Sequence, residues 1–500
     1  MGRLNRREAL VRMGSGAAGL FCLSGTAALA GAAGRVESGR VDSTGLAERL
    51  CAAPASAAFD VAAGAIRSGA DHGALLGAIF LCGVRDIRPR PHGIIHSVMM
   101  VESSFRLAES AAPGEAWLPV FWNLDDLKRA QESDRRDDGD WSLEPPPRPR
   151  GLGPAAARRE FLAAMEAWDP GRADRAIVEL LPHHDRASLY EIIWPLACRC
   201  YAFIGHKMIH AAQMERVLGR IGWRHAEPAL RSLVMSALVS RDTTMFERSR
   251  ELAKALPARW LEGKDEPDQS RQLLRDLTVR SPRGAQDLVV EAFKVGLGPQ
   301  TVWDALRLFG SEMILRRPGR SASAGRTALL PVHALTVTNT LGHGWRSTRL
   351  DSTRRLLVLQ AAAWLASMRD DLVDLVGLSM SGPGIEALGQ STGDDASDLA
   401  PMLERASPGH VRACLDRDPA KRTGYLAGLR TALFRKGQEH HQHKYAAAMD
   451  EESRLVDARW SSRILAPAVD YLAHPADTET ETYRRSIHAL QKAGIRPSEG

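Results

Sequence analysis

Two distant segments carry the same pattern. They are His92-Gly93-Ile94-Ile95-His96 and His206-Lys207-Met208-Ile209-His210, each with a methionine four residues on (Met100 and Met214). On an α-helix, positions i and i+4 lie on one face, so the spacing predicts that each segment aims two imidazoles in one direction. His92, His96, His206 and His210 are therefore candidate metal ligands. They are equally candidate catalytic groups, because an imidazole titrates near neutrality and moves protons at working pH.

Neutral imidazoles from facing helices suit Fe, Cu, Mn or Zn. Histidines alone favour Zn or Cu, and a carboxylate such as Glu102, Glu215 or Asp450 would shift the preference towards Fe or Mn. Glu102 and Glu215 lie about 120° and 140° round a helix from His96 and His210 respectively. Neither shares a helical face with its neighbouring histidine, so a carboxylate ligand has to come from another helix, with Glu451 and Glu452 as candidates. Arg85, Arg88 and Arg90 precede His92 and are candidates for holding an anionic or quinone-like substrate. The competing reading of each histidine is structural: a core imidazole hydrogen-bonded to a carbonyl or carboxylate.

The elements that must position these residues are helical. The 500-residue chain is rich in Ala, Leu and Arg and only 6% aromatic, a helix-forming composition. Apolar residues recur with helical period through 46–67, 92–110, 155–167, 189–218, 228–238, 245–256, 286–295, 301–315, 353–367, 424–435 and 444–472. Strand-like alternation is nearly absent. The expectation is an all-α protein, a single large multi-helix domain over residues 31–500, with helical-repeat character as a variant. Residues 131–154 (charged, then proline-rich), 316–326 (basic, Gly/Ser) and 382–400 (Gly/Ser/Asp) read as surface excursions. Histidine motifs lie on both sides of each, and a joint site needs the flanks packed together.

Residues 1–30 read as an export signal. Asn5-Arg6-Arg7-Glu8 precedes a small-residue apolar stretch ending Ala28-Leu29-Ala30, and the paired arginines resemble a twin-arginine signal, with Ala9 where Phe is favoured. This implies the twin-arginine export machinery as a partner, a periplasmic or secreted location, and no membrane span after cleavage. Gly14-Ser15-Gly16-Ala17-Ala18-Gly19 matches a dinucleotide fingerprint but lies inside the signal, without the βαβ unit that would give it meaning. The net charge of +6 falls to +3 without the signal's four arginines and one glutamate, too mild a balance for nucleic acid. Five cysteines would remain, an odd count at irregular spacing that argues against a disulfide framework. Cys198 and Cys200 read as small core residues. No Cys-x-x-Cys-His occurs, which disfavours c-type haem.

Further histidines cluster at His225, at His333 and His343, and at His440, His441 and His443. Four stretches occur in an order that resembles the motifs of the questin oxidase-like family. These are His92 and His96 with the later Phe121-Trp122-Asn123-Leu124-Asp125; Gly205-His206-x-x-Ile209-His210 with Glu215; Pro331-Val332-His333-Ala334-Leu335-Thr336; and His440-His441-Gln442-His443-Lys444-Tyr445. Lys207 stands where the family carries proline, and the spacing of the first motif differs. The resemblance implies a monooxygenase-like oxidoreductase, in the named case one performing Baeyer–Villiger-type cleavage of a polyketide quinone. An aromatic or quinone-like small-molecule substrate and a reduced nicotinamide cofactor follow from it. So does a site lined by four motifs, with His92, His96, His206, His210, His333 and His443 as catalytic candidates. Consecutive helical residues face different directions, so at most two of the last three histidines converge; His443, with Lys444 and Tyr445, is the favoured one. Two readings from other classes stand beside this: a periplasmic helical-repeat binding or scaffold protein with structural histidines, and a metal-binding protein without turnover.

Overall fold

Short polar side chains open many of the helices. Asp71 accepts from the Ala74 N–H, and Asp185 and Ser188 form a reciprocal capping box, satisfying backbone donors that the first turn leaves unpaired. The computed structural model describes residues 43–90, 93–317, 330–381, 384–385, 388, 403 and 406–496. The proposed signal at 1–30, His92, and most of the stretches 316–326 and 382–400 lie outside the described residues.

The helices that build the site are, in chain order, α1 (His72–Asp86), α2 (His96–Met99), α3 (Val101–Ser110), α4 (Leu118–Asp137), α5 (Arg186–Ala197), α6 (His206–Ile221), α7 (Pro299–Leu315), α8 (Val332–Ser347), α9 (Asp351–Val376), α10 (Arg422–Lys436) and α11 (His440–Leu455). The described residues contain helices and no strand, with one isolated bridge between Lys264 and Leu297, so the fold is all-α. Helix α8 lies at the centre, packed against α6, α7, α9 and α11. It carries three buried threonines that satisfy themselves within the helix. Thr336, Thr338 and Thr340 donate to the carbonyls of His333, Ala334 and Thr336 at 2.9, 2.8 and 3.1 Å, the back-bonding that lets a hydroxyl be buried without an outside partner.

Several periodic stretches are broken where the backbone demands it. Stretch 92–110 divides into a 3₁₀ turn over Gly93–Ile95, then α2 and α3. Gly93 has φ +61°, a left-handed conformation that no helix interior contains. Gly93–Ile95 is a 3₁₀ turn and the α-helix starts only at His96. Stretch 189–218 divides into α5 and α6 around a left-handed turn, and α4 runs on to Asp137, so the excursion expected from 131 begins later. The Phe121–Asp125 stretch lies inside α4.

The cysteine reading needs correction. Cys51 and Cys82 form a disulfide across 31 residues, tying the helix Ser43–Ala52 to α1. An odd total did not exclude one pair, because partners in two packed helices leave no spacing signature. Cys198 and Cys200 are free and buried, as expected. Among the described residues no helix is long and apolar enough to cross a membrane.

Candidate metal centre

Five imidazoles from four segments close into a circuit. Ring centroids lie 4.7 Å apart for His96–His206, 4.9 Å for His206–His333 and 5.1 Å for His333–His441. His441–His440 at 5.8 Å and His440–His96 at 5.4 Å complete it. Every member is at most 5% exposed. Within the circuit, His96, His206 and His333 offer ring nitrogens that all lie within 4.8 Å of one another.

One local device orients those three. Each stands at a helix start and sets its Nδ1 against the carbonyl three residues earlier: His96 on Gly93, His206 on Phe203, and His333 on Leu330 at 3.1 Å. A carbonyl only accepts, so each Nδ1 carries the proton and each neutral ring presents a lone pair at Nε2. This is the arrangement that fixes the tautomer of metal-ligating histidines. It also creates a conflict, because His96 Nε2 and His206 Nε2 are 2.6 Å apart. Two lone pairs that close repel unless they share a cation, either a proton or a metal. Burial, then Lys444 and the neighbouring imidazoles, push His96 well below its ordinary value, so the extra proton is disfavoured. In a tetrahedral site with bonds of about 2.0–2.1 Å, two ligand nitrogens sit roughly 3.3 Å apart, so metal entry requires these rings to separate by less than about 1 Å.

The His206 turn is bent at a cost. Phe203, Ile204 and Gly205 have φ of +61°, +50° and +81°; a β-branched residue such as Ile204 rarely adopts this conformation. The turn aims the Phe203 carbonyl at the His206 imidazole, placing backbone strain at the site. A Cβ at Gly205 would meet Val337 Cγ2 at 2.5 Å and the Trp364 ring at 3.3 Å. Gly205→Ala is expected to cost about 2–4 kcal/mol from left-handed strain and overpacking together, measurable as a lowered denaturant midpoint. An unchanged midpoint would mean that the turn relaxes freely.

The other two imidazoles come from the first turn of α11. His440 Nδ1 meets Asp126 Oδ2 on α4 at 2.6 Å. Burial raises the Asp126 carboxyl, but His440 and nearby cations outweigh this and hold it below its ordinary value. Burial pulls His440 down to about 4 despite Asp126. His440 Nε2, both ring nitrogens of His441 and Lys444 Nζ have no hydrogen-bond partner among the described residues, although all are buried. Such buried polar atoms cost free energy unless a ligand, ion or water satisfies them. The α4 helix is pinned nearby: Asn123 Nδ2 donates to the Ser97 carbonyl at 2.8 Å, one residue after His96.

The sequence-predicted residues divide accordingly. His96, His206 and His333 come together; His92 lies outside the described residues. His210 is buried one turn beyond His206 and is not part of the close group. Burial alone pulls it to about 3. His443 packs on Trp122, with centroids 4.3 Å apart, and the residues of its cluster that join the circuit are His440 and His441. The candidate carboxylates are engaged elsewhere. Glu102 pairs with Arg106 and Arg220, Glu215 with His343 and Arg186, and Asp450 with Arg422 and Arg454. Glu451 pairs with Arg216 at 3.1 Å and Glu452 with Arg307 at 2.7 Å, while Asn339 donates to both. This buried network clamps α6, α7, α8 and α11 together and so holds the helices that carry the imidazoles. Arg88 and Arg90 pair with Asp138. Asp126 and Trp122 were missed as site residues, although the sequence placed them in or beside a matched stretch.

The donor set fits a transition ion: three neutral imidazoles, each oriented by a backbone carbonyl at Nδ1, as in Zn, Cu or Fe sites. No protein-family model, curated protein or solved structure matches the chain.

Proposed function

We propose that the chain is an exported oxidoreductase whose His96, His206 and His333 hold one transition-metal ion, acting on an aromatic or quinone-like small molecule. The observation that carries this reading is the shared orientation of the three rings, each with Nδ1 on a carbonyl and Nε2 within reach of the others. A bound redox ion would supply electron transfer and activation of dioxygen. The chain's own residues set the surroundings. The first turns of α2, α6 and α8 carry His96, His206 and His333, and the first turn of α11 carries His440 and His441. His440, backed by Asp126, and His441 stand beside the three ligands as neutral hydrogen-bonding groups that can orient a substrate oxygen. The resemblance to the questin oxidase-like family supports a monooxygenase-like reaction with a reduced nicotinamide. The Cys51–Cys82 disulfide supports an oxidising compartment, in keeping with export.

The deep burial of all five imidazoles favours a second reading, a protein that holds the metal without turnover. Oxygen uptake separates the two. Protein loaded with Fe, Cu, Mn or Zn is mixed with a hydroxylated anthraquinone and NADPH. Uptake that requires a redox metal and vanishes in His333→Ala is the expected result. A tightly held ion with no uptake under any loading establishes the holding role instead.

A further inference from the structure

The end of α11 away from the imidazoles borders a cavity of about 270 Å³ between α3 and α10. Its floor is apolar and buried, formed by Leu426, Leu429 and Met449 among others. Arg106, Arg430 and Arg454 stand over it. Two of these are already neutralised: Arg106 by Glu102, which also serves Arg220, and Arg454 by Asp450, which also serves Arg422. Glu109, another lining carboxylate, is taken by Arg220. Arg430 makes no hydrogen bond or ion pair that would neutralise it among the described residues. Glu115, the next carboxylate near it, accepts from Thr431 Oγ1 at 3.3 Å. Burial pushes the Arg430 guanidinium below its ordinary value, with Asp450 and Glu115 offsetting only part.

A half-buried guanidinium without a carboxylate partner, above an apolar floor, lacks an anion rather than another wall. We propose that this cavity binds a small amphiphilic carboxylate, its carboxyl group on Arg430 and its short apolar body on Leu426, Leu429 and Met449. The volume is near the lower end of small-molecule sites, which run from about 300 Å³ upwards, so a short-chain or single-ring acid fits and a long-chain lipid does not. The site stands on residues separate from the imidazole circuit, so it and the metal reading fail independently.

Octanoate titrated calorimetrically into the full chain tests this, with acetate, octanol and inorganic phosphate as companion arms. The expected result is saturable octanoate binding, with acetate, octanol and phosphate each about ten-fold weaker or worse, because each lacks one half of the match. Arg430→Gln should weaken octanoate about ten-fold or more, as the loss of one charge-assisted hydrogen bond implies, and Arg430→Lys should retain most of the affinity. Arg430 is only half-buried, so both variants are expected to fold; if the glutamine variant does not, the lysine variant and the octanol arm still decide. Equal affinity for octanol, or octanoate binding unchanged in a folded Arg430→Gln, overturns the proposal. Phosphate binding as tightly as octanoate would replace it with a simple anion site.

Discussion

His206→Ala is expected to lose transition-metal binding, with affinity falling on the order of 100-fold or more, beyond what loss of a supporting residue alone costs. His206 stands at the centre of the geometry: its Nε2 meets His96 at 2.6 Å, its ring neighbours His333, and its Nδ1 is held by the Phe203 carbonyl. Removing it leaves two ligands, too few for a tightly held ion. The matched control is His210→Ala. His210 is equally buried and one helical turn away, so a loss caused merely by disturbing α6 would appear in both. His210→Ala should change the melting temperature and leave metal content intact. Metal measured by plasma mass spectrometry on both variants decides, and equal loss in both would show that the site depends on core integrity rather than on ligation.

The second large effect is acid sensitivity. Burial holds His210 and His443 down to about 3 and His343 and His440 to about 4, against about 6.5 in an unfolded chain. Above pH 6.5 these rings are neutral in both states and add no pH dependence. Below it the unfolded chain takes up protons that the folded chain refuses, so stability falls as pH falls, by roughly 1.4 kcal/mol per histidine for each pH unit, until the folded value is reached. Several such rings titrating together should remove several kcal/mol between pH 6.5 and about 5. Denaturant midpoints across pH 5 to 8 measure this. A flat profile over that range would mean that the imidazoles already carry protons in the folded state or are reached by water. Metal ligation has the same sign, since protons compete with the ion for Nε2.

The sequence made the helical class legible because apolar positions recur every three to four residues through most of the chain. It also made legible which histidines to watch, since His96, His206, His333 and the 440–443 group supply the whole circuit. Two things stayed out of reach. Backbone breaks depend on local conformation that periodicity does not see: the left-handed Gly93 interrupts the helix expected through 92–110, and the Phe203–Gly205 turn separates α5 from α6. Long-range partners depend on packing. Nothing in the chain order ties Asp126 to His440, Cys51 to Cys82, or Glu451 and Glu452 to arginines on α6 and α7. For the same reason candidate carboxylate ligands proved to be clamps, and His440 and His441 took the place expected for His443.

The central claim is that one metal ion sits among His96, His206 and His333. Anomalous scattering from crystals of the protein, recorded at the absorption edges of Fe, Cu, Mn and Zn, tests it most directly. The account predicts a single strong peak about 2.0–2.3 Å from the Nε2 atoms of all three, with His96 and His206 moved apart to admit it. No peak there, with His96 and His206 still joined through a shared proton, would contradict it.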